Sequence, residues 1–231
     1  MSLVIPAPAP VHLPVAGGGL FPVHRIYCVG RNYLSHIREM QESDGRDPPF
    51  FFQRPRDALV HAGGEVPYPS LTGHFQFGVE LVVAMGQAEQ ALTPEQSWDH
   101  IWGYAVGLDM TRRDRPRESA RKRLPWEIGK SFDASGPCGP LRPRAQVGNM
   151  THGRIHITVN GQIKQDSDIE HMIWHVDEIV SNLSHHYRLE PGDLIYTGTP
   201  AGVAAVAPGD HLVAEIEGLA PLDIHITEKR R

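Results

Sequence analysis

The sequence predicts an α+β fold that is mainly β, and three observations carry that reading. Glycine and proline supply 23 and 20 of the 231 residues, an excess that favours a strand- and loop-rich chain over a helical bundle. Short apolar runs bounded by Gly, Pro and Asp recur along the chain, as buried strands do. Only one segment shows sustained three- and four-residue apolar spacing, so only one long helix is expected.

Residues 1–24, with Pro, Ala and three consecutive glycines from Gly17, read as an extended arm lying over the body or over a partner chain. Residues 25–231 then form one domain. Within it, Arg25–Gly30 predicts a strand leading to a short helix that Asn32 or Ser35 caps. The polar stretch Glu42–Pro49 predicts a surface loop. Val79–Met85 is a continuous apolar run holding one carboxylate, Glu80, and predicts a buried strand. Gly103–Asp109 predicts a second strand that ends in a carboxylate. Asn160-Gly161 between alternating residues predicts a hairpin over 155–165. Ser167–Tyr187 carries Ile169, Met172, Ile173, Val176, Ile179, Val180, Leu183 and Tyr187 at helical spacing, with Ser167 and Glu170 as its capping box. Asp193–Gly198, His211–Glu217 and Leu222–Ile226 predict the closing strands.

Composition excludes several functions. Lys and Arg number 22 against 27 Asp and Glu, a net charge of −5, so no global field draws nucleic acid or anionic membrane. Seven basic and two acidic residues cluster in Arg112–Arg123; this reads as solvated surface, with nucleic-acid binding the minor alternative. No apolar run approaches the roughly 18 residues of a membrane span, and no secretion signal is visible. Two cysteines, Cys28 and Cys138, make no disulfide framework, which fits a reduced, cytoplasmic setting. The fourteen histidines fall in no H-E-x-x-H or similar metal pattern, so most are read as solvated or structural.

Eight segments together narrow the reading: CVGRNYLSHIREM from Cys28, DPPFFFQRP from Asp47, VELVVAMG from Val79, GYAVGLDMTRRD from Gly103, PWEIGKSFDASGPCGP from Pro125, NGQIKQ from Asn160, LEPGDLIYTGTPAGV from Leu189 and PGDHLVAEIEGL from Pro208. In order and spacing, from about Arg25 to Ile226, the chain resembles the fumarylacetoacetate hydrolase family, and within it the acylpyruvase-type members. The resemblance implies a mixed β-sandwich roll, a homodimer, and an active site at one mouth of the roll. It also implies hydrolysis of a C–C bond in a 2,4-dioxo acid such as fumarylpyruvate.

His36 and Glu39 are three apart, so a short helix puts them on one face. A carboxylate beside an imidazole fixes its tautomer and raises its basicity, as water activation requires. The resemblance makes this pair the family's His–Glu dyad. It further assigns Lys130 to the enolate or oxyanion, Arg113 to the substrate carboxylate, and Arg31, Tyr33 and Thr199 to the substrate-binding rim. A Mg²⁺ ion (or Mn²⁺ or Ca²⁺) is implied on three carboxylates, since hard cations take oxygen ligands. Glu80 and Asp109 match two of them. The other falls on Gly78, because HFQFGVEL stands where relatives carry HHE-x-EL. Strand alternation puts Gln76 on the same face as Gly78 and Glu80, so its amide oxygen or a water is expected to fill the gap. Pro116 is a second departure, where acylpyruvase-type relatives carry the Gln of R-D-x-Q. The leading reading is an acylpyruvate hydrolase. One alternative is a weakly active or non-catalytic member serving as a binding or partner subunit; another is a 2-oxo diacid decarboxylase or tautomerase using the same enolate.

Overall fold

The computed structural model describes residues 3–39, 46–122, 124–125 and 127–229. The 42–45 part of the expected surface loop lies outside them, and 46–49 has no regular structure. In chain order the elements open with a hairpin, β1 His12–Pro14 and β2 Leu20–Pro22. Next come β3 Ile26–Gly30, α1 Leu34–Glu39, β4 Phe50–Arg54, β5 Leu59–His61, β6 Gly64–Pro67, β7 Phe75–Gln76 and β8 Val79–Met85. The middle holds α2 Pro94–His100, β9 Ile101–Leu108, β10 Thr111–Arg112, α3 Asp114–Lys122, β11 Gly136–Cys138, β12 Arg142–Pro143 and α4 Arg144–Val147. The chain closes with β13 Arg154–Val159, β14 Gln162–Asp168, α5 Val176–His186, β15 Leu194–Tyr196, β16 His211–Ile216 and β17 Leu222–Thr227. The expected mainly β, α+β class is what forms.

Two large sheets make the body. One is mixed and runs β4-β3-β15-β8-β9-β11-β5; the other runs β14-β13-β16-β17-β6. Residue alternation explains how they pack. Val79, Leu81, Val83 and Met85 of β8 meet Ile155, Ile157, Leu212, Ala214 and Ile224 in the core between the sheets. Val82 and Ala84, on the other face, meet Leu13, Phe21, Ile26, Cys28, Phe52 and Tyr196 in a second core. The Gly-rich segment therefore folds into a hairpin whose Leu13 and Phe21 seal that second face. Gly17, Gly18 and Gly19 all adopt positive φ to turn it, a conformation open mainly to glycine.

The Asn160-Gly161 turn forms with φ of 51° and 77°, which joins β13 to β14 as the dipeptide predicts. The long helix is the main correction. Strand β14 runs through Ser167 to Asp168, a single 3₁₀ turn covers Ile169–His171, and the helix begins only at Val176. Asp168, not Ser167, caps that turn, accepting from the Glu170 N–H at 2.8 Å. The helix is interrupted by Asn32. Its carboxamide accepts from Trp174 N at 2.8 Å and donates to Trp174 O at 2.9 Å, while Asn32 O accepts from Ile173 N at 2.8 Å. These backbone groups cannot also serve a helical ladder, so tertiary contacts override the apolar periodicity. Asn32 is thereby a clamp rather than a cap of α1, and Ser35, the other expected cap, lies inside that helix.

Candidate active site

The site forms where β8 begins and β9 ends. The start of β8 supplies Glu80 and the residue after β9 is Asp109; Gly107 of β9 lies opposite Glu80. Both carboxylates are buried, at 2% and 6% exposure. Asp109 is gripped on both oxygens, Oδ1 by the Arg54 guanidinium and Oδ2 by the Lys130 ammonium. Lys130 also donates to Thr111 Oγ1 at 2.8 Å. Burial pushes the Asp109 pKa up, but Lys130 and Arg54 outweigh it and hold the group below the usual carboxylate range. Glu80 is different. Burial, reinforced by the Asp109 charge, pushes it up to about 8 against the pull of the Gly198 N–H. That N–H donates to Glu80 Oε2 at 2.8 Å.

The dyad lies on the other wall. His36 Nδ1 is 3.3 Å from Glu39 Oε2 on α1, and burial lowers the His36 pKa more than Glu39 raises it. Arg113 and Lys130 lower it further, which puts both cations within electrostatic reach of the imidazole. The Glu39 carboxylate also accepts from Gly202 N at 3.1 Å. One segment therefore touches both walls, with Gly198 on Glu80 and Gly202 on Glu39.

Thr199 sits between those contacts and decides the fate of the position at Gly78. A β-carbon on Gly78 would lie 2.8 Å from Thr199 Cγ2 and 2.9 Å from its Oγ1. Gln165, 1% exposed, fixes this arrangement. Its Nε2 donates to Thr199 Oγ1 at 2.9 Å and Pro200 O at 2.7 Å, and its Oε1 accepts from Val79 N at 2.9 Å. Gln76 does not fill the space beside Gly78, where the atoms nearest a β-carbon all belong to Thr199. Its amide nitrogen is 3.0 Å from His74 Nε2, and β7 ends at Gln76, before Gly78. Alternation itself carries through, since Phe75, Phe77, Val79 and Leu81 all enter the core between the sheets and Gly78 exchanges both backbone hydrogen bonds with Asp109; the contact with His74 is what takes the Gln76 amide.

Of the remaining expected residues, Tyr33 is fully buried and its hydroxyl has no partner among the described residues. Burial and then Glu80 raise its pKa, so it is a neutral donor directed into the interior. Arg31 is exposed, has φ of 59° and stacks at 5.7 Å over the Phe50 ring. Arg113 follows β10, its backbone tied to His74 O at 2.8 Å. Pro116 falls in the first turn of α3, where a missing N–H is tolerated. It packs against Gly129, just before Lys130.

Arg54 and Gln165 are functional candidates that sequence reasoning passed over. Arg54 is 3% exposed, and its Nε and Nη1 lack partners among the described residues. The available signal was position: a charged or amide side chain at an inward place on a strand otherwise apolar or solvated.

Hard oxygen donors fit a divalent cation in type. Glu80 Oε1 and Asp109, whose two oxygens also bind Arg54 and Lys130, would supply them, while Gly78 adds none and Thr199 covers its place.

The model of the fumarylacetoacetate (FAA) hydrolase C-terminal family matches residues 25–227. A fumarylpyruvate hydrolase from Ralstonia sp is 41% identical over 177 residues, 77% of this chain and 92% of that one. The mitochondrial oxaloacetate tautomerase of Homo sapiens is 36% identical over 201 residues, 87% and 90% of the two chains. The crystal structure of fumarylpyruvate hydrolase from Pseudomonas aeruginosa, in complex with Mn²⁺ and pyruvate, superposes with a TM-score of 0.96 at 47% identity, over 99% and 100% of the chains. The chain belongs to the fumarylacetoacetate hydrolase family, whose relatives here include both hydrolases and tautomerases.

Proposed function

We propose that this chain hydrolyses an acylpyruvate, with fumarylpyruvate the first substrate to try. One observation carries the reading: residues 198–202 tie a buried acid–base cluster to a His–Glu dyad across one site. Similarity to fumarylpyruvate hydrolases supports it.

Glu39 on Nδ1 leaves His36 Nε2 as the basic nitrogen. Nε2 takes a proton from water as the oxygen attacks the acyl carbonyl. The C–C bond to the pyruvate methylene then breaks, and its electron pair becomes the pyruvate enolate. Lys130 and the Nε and Nη1 of Arg54, without partners among the described residues, place positive charge where that enolate develops. The His36 proton returns to the carbon, so acylpyruvate and water yield a carboxylic acid and pyruvate. Arg113 pairs with a substrate carboxylate. Glu80 and Asp109 would hold Mg²⁺ or Mn²⁺, which when bound supplies Lewis-acid charge at the 2-oxo acid end.

A second reading, keto–enol exchange of oxaloacetate, is favoured by the similarity to the tautomerase and uses the same enolate-stabilising charges. The test assays purified protein with Mn²⁺ on fumarylpyruvate, following loss of its enol absorbance and release of pyruvate, and on enol-oxaloacetate. Hydrolysis abolished in His36→Ala supports the proposal. Oxaloacetate exchange without any acylpyruvate cleavage replaces it with the second reading, and inactivity on both makes the chain a non-catalytic member.

A further inference from the structure

A second cluster of metal-ligating side chains stands away from the active site, on the outer face of the five-stranded sheet. His211 on β16 and His225 on β17 are direct cross-strand partners, and Asp223 lies two residues before His225. Antiparallel pairing and two-residue alternation bring all three onto one face. Their neighbours Leu212, Ile224 and Ile226 point inward and are buried, so the backbone beneath the cluster is fixed by the core.

The side chains converge. The two imidazole rings stack with centroids 4.4 Å apart and planes 8° from parallel. Asp223 Oδ1 is 2.7 Å from His211 Nε2 and 3.9 Å from His225 Nε2. One ligand atom from each residue lies within 4.8 Å of the others. Ligand atoms about 2.0–2.1 Å from a tetrahedral ion stand roughly 3.3 Å from one another. The shorter separation must open and the longer close by about half an ångström each, and the stacked rings must turn out of parallel so that both in-plane Nε2 lone pairs meet one point; rotation of partly exposed side chains provides both. Backbone contacts already position His211, whose N–H donates to Asn160 Oδ1 at 2.9 Å.

We propose that His211, Asp223 and His225 form a surface site for a borderline transition-metal ion, Zn²⁺ foremost, with water completing the coordination. Two imidazoles select against Mg²⁺ and Ca²⁺, which prefer all-oxygen sets. The ion would link β16 to β17 and bind independently of the active site.

The experiment titrates Zn²⁺ into the full-length protein by calorimetry, with millimolar Mg²⁺ present to occupy hard-cation sites, and repeats it with Co²⁺ to read its visible absorption. The expected result is one equivalent bound, an affinity at least about tenfold weaker in His225→Ala and in His211→Ala, and no change in His156→Ala on the same sheet face. Zn²⁺ should raise the melting temperature of the wild type and not of His225→Ala. Acylpyruvate hydrolysis should be the same in His225→Ala, which keeps this test separate from the proposed reaction. Zn²⁺ binding unchanged in both His variants, or no binding by the wild type, overturns the site.

Discussion

Thr199 stands against Gly78 so closely that a β-carbon there would lie 2.8 Å from its Cγ2. Gln165 holds the threonine from behind. The lack of a side chain at 78 and the place of Thr199 are thus one arrangement, so a carboxylate introduced at 78 alone meets the threonine first. Gly78→Glu is expected to expel Thr199, lower stability by about 1–3 kcal/mol and fail to improve Mn²⁺ affinity. Gly78→Glu combined with Thr199→Gly should bind Mn²⁺ more tightly than either single variant. Thermal melts and Mn²⁺ calorimetry on the three proteins check this.

Charge balance governs when a cation enters. Asp109 faces both Arg54 and Lys130, while Glu80, pushed up to about 8, is largely protonated at neutral pH, so the cluster already leans positive. A divalent ion added alone leaves positive charge uncompensated in a poorly solvated place. A planar dianion resembling the pyruvate enolate compensates it. Mn²⁺ is therefore expected to bind weakly by itself and roughly tenfold or more tightly with oxalate present, a coupling of ordinary size. Calorimetry with and without oxalate reads it directly; equal affinity in the two titrations would reject the charge argument.

The dyad makes a prediction with a sign. Burial lowers the His36 pKa, and Glu39 partly restores it. Glu39→Gln keeps an oxygen for the Gly202 N–H but removes the charge. The acid limb of kcat/KM should then move to lower pH, while the plateau falls by up to about 100-fold. A fallen plateau with an unmoved limb would mean that Glu39 only holds the 198–202 segment.

Strands were the legible part of this chain, because alternation and Gly or Pro boundaries are local. Val79–Met85 and the Asn160-Gly161 hairpin form where the residues place them. The 167–175 stretch was illegible because what stops its helix is Asn32, more than 130 residues earlier. In the site, spacing put His36 and Glu39 on one helix face, the family resemblance made them a pair, and the structure puts them 3.3 Å apart. Arg54 and Gln165 could not be read this way. Their inward strand positions were the only local hint; what they hold, Asp109 and Thr199, lies far along the chain.

Arg54 offers the sharpest test of how the cluster divides its work. Its guanidinium is buried and bonded to Asp109 through one nitrogen, leaving Nε and Nη1 without partners among the described residues. Arg54→Met leaves Asp109 with Lys130 alone and should destabilise the fold by about 3–5 kcal/mol, the usual consequence of breaking a buried pair. Arg54→Lys keeps the charge but loses the planar donors. It should therefore melt within a few degrees of the wild type while oxalate affinity falls about tenfold, the size of one charge-assisted hydrogen bond. Oxalate binding unchanged in Arg54→Lys would assign the residue to holding Asp109 and remove it from the substrate's surroundings.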